Sequence, residues 1–240
     1  MSQGRHGIKI LGLSLLAALG LMAFAASAQA GEWLINTGVG GTHKTFTEHG
    51  IASETVLGTV AAGKLLVPSL SLTVLCTGGT FTGTILLGGT AHASVLFSGC
   101  EAEGIPVCKP FETTAKMETN LTADKGFISA SGLGELLLMG GKHYLLVSST
   151  EAAPFTKIEW PKICALTLLN KVFGSYVFEL PTALQLGLVD QTIVPLLEEV
   201  MKELFPNDVL TYVNQAAWLH PGTATAHLSG ALKGKFWGAH

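Results

Sequence analysis

The sequence predicts a mainly β protein, an antiparallel sandwich or barrel-like domain with one packed amphipathic helix near residues 192–205. Three observations carry that expectation. Apolar and polar residues alternate over short runs, as in Ser69-Leu70-Ser71-Leu72-Thr73-Val74, the period of a half-buried strand. Glycine pairs at Gly88-Gly89 and Gly140-Gly141 fall between such runs, where a hairpin has to reverse. The runs also recur at short, regular intervals, the pattern of a sandwich or barrel rather than of βαβ units.

The first thirty residues stand apart from that pattern. Arg5 and Lys9 precede an apolar run from Ile10 to Ala26, which closes on Ala28-Gln29-Ala30. A basic start, an apolar middle and small residues at both positions before a cut define a cleavable signal peptide. The expected organisation is therefore a signal peptide over 1–30, with cleavage directed by Ala28 and Ala30, and a single exported β-rich domain over 31–240. Ala26-Ser27-Ala28 offers a second legal cut two residues earlier. An uncleaved anchor is the rival reading, since the apolar run approaches the ~17 residues that span a bilayer. Two alanine-type cut sites at its end argue for removal, so no stable membrane span is expected in the mature chain.

Removal of this segment takes away Arg5 and Lys9, leaving twelve lysines against 17 acidic residues and a net charge of −5. A chain without arginine and with scattered lysines is a poor match for nucleic acid, where phosphate neutralisation and bidentate guanidinium contacts supply the affinity. The same balance disfavours anionic lipid surfaces.

Four cysteines remain, Cys76, Cys100, Cys108 and Cys164. An even number in an exported chain predicts disulfides, because the destination is oxidising. Zinc fits less well, since no two of them lie two to four residues apart, and the absence of C-x-x-C removes the simplest thiol-redox chemistry. Of the three possible pairings, the expected one closes a small loop with Cys100–Cys108 and joins distant strand ends with Cys76–Cys164.

Along the mature chain, Thr80-Phe81-Thr82-Gly83-Thr84-Ile85 and Thr90–Phe97 form the first expected hairpin around Gly88-Gly89. Further strands are expected at 134–139, 143–149, 155–160, 164–169 and 175–180, with Gly140-Gly141-Lys142 turning between the first two. Residues 223–236 read as a loosely alternating strand pair around Ser229-Gly230. Between them, Ile193, Leu196, Leu197, Val200 and Leu204 recur at helical spacing opposite Glu198, Glu199, Lys202 and Glu203. Thr192 is the expected cap and Pro195 falls in the first turn, where proline is tolerated. An acidic polar face is the wrong sign for a bacterial membrane, so this helix is expected to pack on the sheet.

No catalytic residue, cofactor or metal ligand emerges from this reading. Gly38-Val39-Gly40-Gly41 is neither a dinucleotide fingerprint nor a P-loop. His43 and His49 are six residues apart, and His220 and His227 seven, while a helical metal pair needs a spacing near four. Asp124, Asp190 and Asp208 neighbour turn-like or helix-boundary residues, where Asp caps backbone. Glu101 and Glu103 share a strand face, but nothing marks either as buried and raised in pKa as a carboxylate-pair hydrolase requires. No G-x-S-x-G elbow is present. Trp33, Trp160, Trp218 and Trp237 are spread along the chain; large aromatics beside strands fill a core or present a sugar-stacking rim.

The signal peptide, Glu32-Trp33-Leu34, the strand into Cys76, Ser98-Gly99-Cys100, Cys108 and Cys164 together resemble uncharacterised secreted bacterial β-rich proteins. The likeness covers about the first two-thirds of the mature chain and rests on the cysteine order and the Gly-Cys step. It implies export, a β domain and disulfides, and no activity. The functional expectation is an exported cell-envelope or extracellular protein, a non-enzymatic structural or binding module that contacts protein or glycan. The alternatives are a secreted hydrolase acting on polysaccharide or peptide, and a small outer-membrane β-barrel.

Overall fold

A computed structural model describes residues 29–36, 44–104, 108, 110, 126–149, 153–161, 164, 169–180, 189–206 and 210–240. The chain is mostly β, with two short helices among the described residues. In chain order the first elements are β1 (Gln29–Ala30), β2 (Trp33–Asn36), β3 (Lys44–Thr45), α1 (Phe46–His49), β4 (Ser53–Val60), β5 (Gly63–Val67), β6 (Leu72–Cys76) and β7 (Gly78–Leu86). The long β8 (Thr90–Ala102) and β9 (Gly126–Met139) follow, then β10 (Lys142–Ser148), β11 (Thr156–Glu159), β12 (Leu169–Phe173), β13 (Ser175–Leu180) and β14 (Asp190–Pro195). The remainder is α2 (Glu198–Leu204), β15 (Leu210–Tyr212), β16 (Gln215–His220), β17 (Ala224–Leu228) and β18 (Phe236–Ala239).

All pairings are antiparallel, and together they close two rings of eight strands. The first runs β9-β10-β13-β14-β17-β4-β7-β8 and returns to β9; the second runs β8-β6-β5-β16-β15-β12-β11 and also returns to β9. β8 and β9 belong to both. Their register is continuous from Thr90 opposite Glu135 to Ser98 opposite Phe127, then shifts before Cys100 meets Gly126. Gly99 provides that shift at φ 63°, a bulge conformation that glycine adopts without the Cβ penalty. One edge of β8 meets β7 and then β6, and one edge of β9 meets β10 and β11.

Alternation decides which side faces in. Val56 and Val60 of β4, Phe81 and Ile85 of β7, Ala91 of β8 and Leu136 of β9 are buried in the first ring, while Thr55, Thr59, Thr80, Thr82, His92 and Ser94 on the same strands are exposed. The end of this ring near Thr90 is plugged by a separate three-stranded sheet, β18-β2-β3. It inserts Trp33, Ile35, Trp237 and Ala239 into the core. Trp33 Nε1 donates to Thr90 O at 2.9 Å, Trp237 Nε1 to Val189 O at 3.0 Å, and Gln191 Nε2 to Trp237 O at 2.6 Å. The second ring encloses Val67, Val74, Ile158, Trp160, Val172, Tyr212 and Ala217, and packs Met201 and Phe205 from α2 and its C-terminus. Trp160 Nε1 donates to Tyr212 Oη at 3.0 Å.

Several sequence expectations hold. The fold class is the barrel-like one predicted, and the hairpins turn at Gly88-Gly89 and Gly140-Gly141. Others need correction. Residues 190–195 form a strand, because Asp190 to Ile193 pair with His227 to Ala224 of β17; that tertiary pairing overrides the local helical period. The helix starts at Glu198, with Leu197 at its N-cap and no side-chain cap. Its buried side is Met201, flanked by Leu196 and Phe205, whereas Leu197 and Leu204 are 63% and 40% exposed. The expected pair around Ser229-Gly230 does not form either: β17 joins β4 and β18 joins β2. Residues 68–70 are a 3₁₀ turn, so the strand expected from Ser69 begins at Leu72.

The disulfide pairing also differs from expectation. The bonds are Cys76–Cys100 and Cys108–Cys164, and the expected Cys100–Cys108 and Cys76–Cys164 pairs are absent. β8 runs on past Cys100 to Ala102, and its register with β6 sets Leu75 opposite Glu101 and Val74 opposite Ala102. Cys76 and Cys100 are thereby brought to a Cα separation of 4.0 Å. Proximity in sequence misled because the β6–β8 register sets Cys100 beside Cys76, while Cys108, whose carbonyl accepts from Ala102 N at 3.0 Å, bonds Cys164 instead.

Two measurements check this arrangement. Non-reducing peptide mapping should recover peptides joining Cys76 to Cys100 and Cys108 to Cys164, and a Cys100–Cys108 peptide would refute the register. With separations of 24 and 56 residues, chain entropy assigns the two bonds about 3.5 and about 4.2 kcal/mol. The second concerns Gly58, which faces inward under the Phe81 ring; a Cβ there would collide with that ring and with Thr225 O. Gly58→Ala should therefore lower stability by roughly 2 kcal/mol or more in urea denaturation.

Candidate functional site

Two concavities lie on opposite faces of the same strands. The inner one is a cavity of about 180 Å³ where the two rings meet. Its wall takes Phe81, Val147, Phe178 and Ala224 from the first ring, Leu65, Val74, Ile158 and Val172 from the second, and Val95, Phe97 and Ala130 from the shared strands. The wall is almost wholly apolar. Thr156 is the exception: it is 9% exposed, and its Oγ1 has no hydrogen-bond partner in the protein. Lys64 and Ser131, both exposed, mark where the lining reaches the surface.

The outer concavity is a groove of about 480 Å³ on the exterior of β4, β7, β8 and β9, bounded further by Ser148, Ser149 and Ala153. Strand register explains its composition. Thr82 lies opposite Ser94, and Ser94 opposite Ser131; in the next row Thr55 lies opposite Thr84, and Thr84 opposite His92. A parallel row of exposed threonines, Thr192, Thr225, Thr59 and Thr80, crosses four adjacent strands. The groove thus offers hydroxyls and one imidazole, donors and acceptors without formal charge when His92 is neutral. Ala93, Ser131 and Gly132 border both concavities.

The residues singled out in the sequence are dispersed. Ala28 lies outside the described residues, while Ala30 sits exposed in β1, paired with Leu137. His43, Asp124, Asp208 and residues 38–41 also fall outside them. His49 ends α1. His220 and His227 stand on different rings, His220 4.0 Å from Glu198 and His227 3.6 Å from Asp190. Among the described residues no group of three or more His, Cys, Asp or Glu is placed to hold a metal. Glu101, near the end of β8, and Glu103, just beyond it, line neither concavity. Trp33, Trp160 and Trp237 are buried, which removes them as a sugar-stacking rim; Trp218 is partly buried with Lys202 Nζ 4.3 Å from its ring centroid. Of the two readings of the aromatics, core filling is the one Trp33, Trp160 and Trp237 follow: their indoles fill the two cores, and their N–H groups bond carbonyls or a phenol.

Sequence reasoning named neither Thr156 nor the groove. The alternation in Thr80–Ile85 does put Thr80, Thr82 and Thr84 on one face, so half of the signal was present. Which strands lie beside β7 was not.

The fold and the two faces define a closed antiparallel β domain with an apolar interior and a hydroxyl-rich exterior. No protein-family model matches the chain, and no curated protein or solved structure matches it.

Near the plugged end, His143 of β10 has both ring nitrogens buried without a partner. Burial first, and the charge of His240 second, lower its pKa from the ordinary 6.5. The unfolded chain then binds this proton more readily than the folded one, so stability is full above about pH 6.5 and falls as pH drops through the window below it. Urea midpoints from pH 7.5 to 5 should decline less steeply for His143→Gln than for the parent. Equal slopes would rule out this histidine as a contributor.

Proposed function

We propose that this protein is an exported, non-enzymatic binding module of the cell envelope or extracellular space, and that its outer groove contacts a neutral glycan. The groove's composition carries the reading: hydroxyls of Thr55, Thr82, Thr84, Ser94 and Ser131 surround His92 on one curved face. Sugar hydroxyls both donate and accept, and serine, threonine and histidine side chains reciprocate without the desolvation cost of an ionised group. Loss of Arg5 and Lys9 with the leader leaves no arginine to attract an anionic polymer. Two disulfides are typical of exported proteins.

The outer-membrane alternative is not favoured. A lipid-facing barrel carries apolar side chains outward and polar ones inward, and here Val56, Phe81 and Ile85 face in while Thr55, Thr80 and Thr82 face out. No helix among the described residues is long and apolar enough to cross a membrane.

The test is retention on immobilised neutral polysaccharides and cell-wall fractions, with a Thr82→Ala/His92→Ala/Ser94→Ala variant beside the parent. The variant should lose about tenfold or more in affinity, the loss of two or more net hydrogen bonds, while its melting temperature stays close to the parent's. Binding by the parent should change little between low and high salt, because no lysine, arginine or carboxylate lines the groove. Equal retention of parent and variant, or retention of neither, would refute the glycan reading; release of reducing ends would point to the hydrolase instead.

A further inference from the structure

We infer that the cavity between the two rings is a binding site for a small neutral molecule with an apolar body and one hydrogen-bonding group, of which a simple phenol is the type. This site is independent of the outer groove. Three observations carry it.

The first is size. An apolar cavity of about 150 Å³ accepts benzene, and this one measures about 180 Å³, room for a single ring with one or two substituents. The second is the wall. Phe81, Phe97, Phe155 and Phe178 border the space, so an aromatic guest meets ring edges and faces at several points. A charged guest would find nothing to offset its desolvation.

The third is Thr156. Its residue is 9% exposed, it borders the cavity, and Oγ1 has no partner in the protein. A buried hydroxyl left without a partner is destabilising, and valine would fill the same shape without that cost. Backbone pairing does not require threonine either, since Thr156 meets Ala130 through main-chain groups as the register pair that closes the second ring. A guest hydroxyl or carbonyl beside Oγ1 would supply the missing partner, giving the site a polar contact at one point and apolar contact elsewhere.

The experiment titrates the disulfide-intact protein with p-cresol and with toluene, which match in shape and differ in the hydroxyl, and follows calorimetry and amide chemical shifts. The parent should bind p-cresol one to one and about fivefold more tightly than toluene, the preference one net hydrogen bond supplies. Thr156→Val should abolish that preference, leave toluene binding in place, and raise the melting temperature of the unliganded protein. Ala130→Leu, which fills the space from the opposing strand, should abolish binding of both while the outer groove's glycan retention persists. Binding of neither guest by the parent would overturn the assignment. So would an unchanged preference in Thr156→Val, or undiminished binding in Ala130→Leu.

Discussion

The long ladder between β8 and β9 is the constraint on which the rest of the architecture depends. Each other ring strand belongs to one ring, and these two belong to both, so each ring closes only if they stay paired from Thr90 opposite Glu135 to Cys100 opposite Gly126. Their outer edges are then divided between two neighbours apiece. At β8 the transition from β7 to β6 is accompanied by the Gly99 bulge and stapled by Cys76–Cys100. At β9 the transition from β10 to β11 has one register pair, Ala130–Thr156, and the bond from Ser131 N to Phe155 O at 2.7 Å. Strands that diverge from a shared edge leave a wedge between them that side chains of ordinary length do not fill. The cavity lies in that wedge.

The far end of the first ring shows a second economy. Opening a barrel's mouth exposes core to water, and here the two ends of the described chain close it by pairing with each other: Trp33 to Asn36 run against Ala239 to Phe236, and Glu32 and His240 exchange backbone bonds at 2.8 Å. The indoles of Trp33 and Trp237, 5.9 Å apart between centroids, fill the mouth, and their N–H groups are answered by carbonyls of the barrel. Glu54 is buried at the same end, its carboxylate accepting from Thr55 N at 2.9 Å and Leu232 N at 3.2 Å. Two backbone donors from separated parts of the chain thus offset the burial of one charge. These contacts span most of the sequence, which makes the topology rich in non-local pairing and places it among slow-folding architectures.

Much of the strand content was legible because burial on one face forces period two, and the alternation of Thr80–Ile85 in β7 and Thr90–Phe97 in β8 shows it. What was not legible had a common cause: it depended on partners distant in sequence. Ile193, Leu196, Leu197 and Val200 follow a helical period, yet Ile193 lies opposite Ala224 in a ladder that local spacing cannot reveal. The nearest cysteines were paired on separation alone, whereas the register of β6 with β8 decides the bond. The site suffered the same blindness. Thr82, Ser94 and Ser131 form one row only after three strands align, and Thr156 in isolation is an ordinary β-branched strand residue.

Alternation also makes two sites on one sheet physically compatible. On β7, Phe81 faces the cavity and Thr82 the groove; on β8, Val95 faces inward and Ser94 outward. Successive residues therefore answer to different solvents, one to an apolar interior and the next to water. A change at Thr82 alters hydrogen bonding outside and leaves packing at Phe81 in place, while a change at Val95 does the converse. The backbone that joins them is held by ladder bonds on both edges, so neither face has to move for the other to be occupied. Gly132, like Ala93 and Ser131, borders both concavities, and a Cβ there would meet the side chains of Phe155 and Val147. The absence of a side chain at that point keeps the inner wall open.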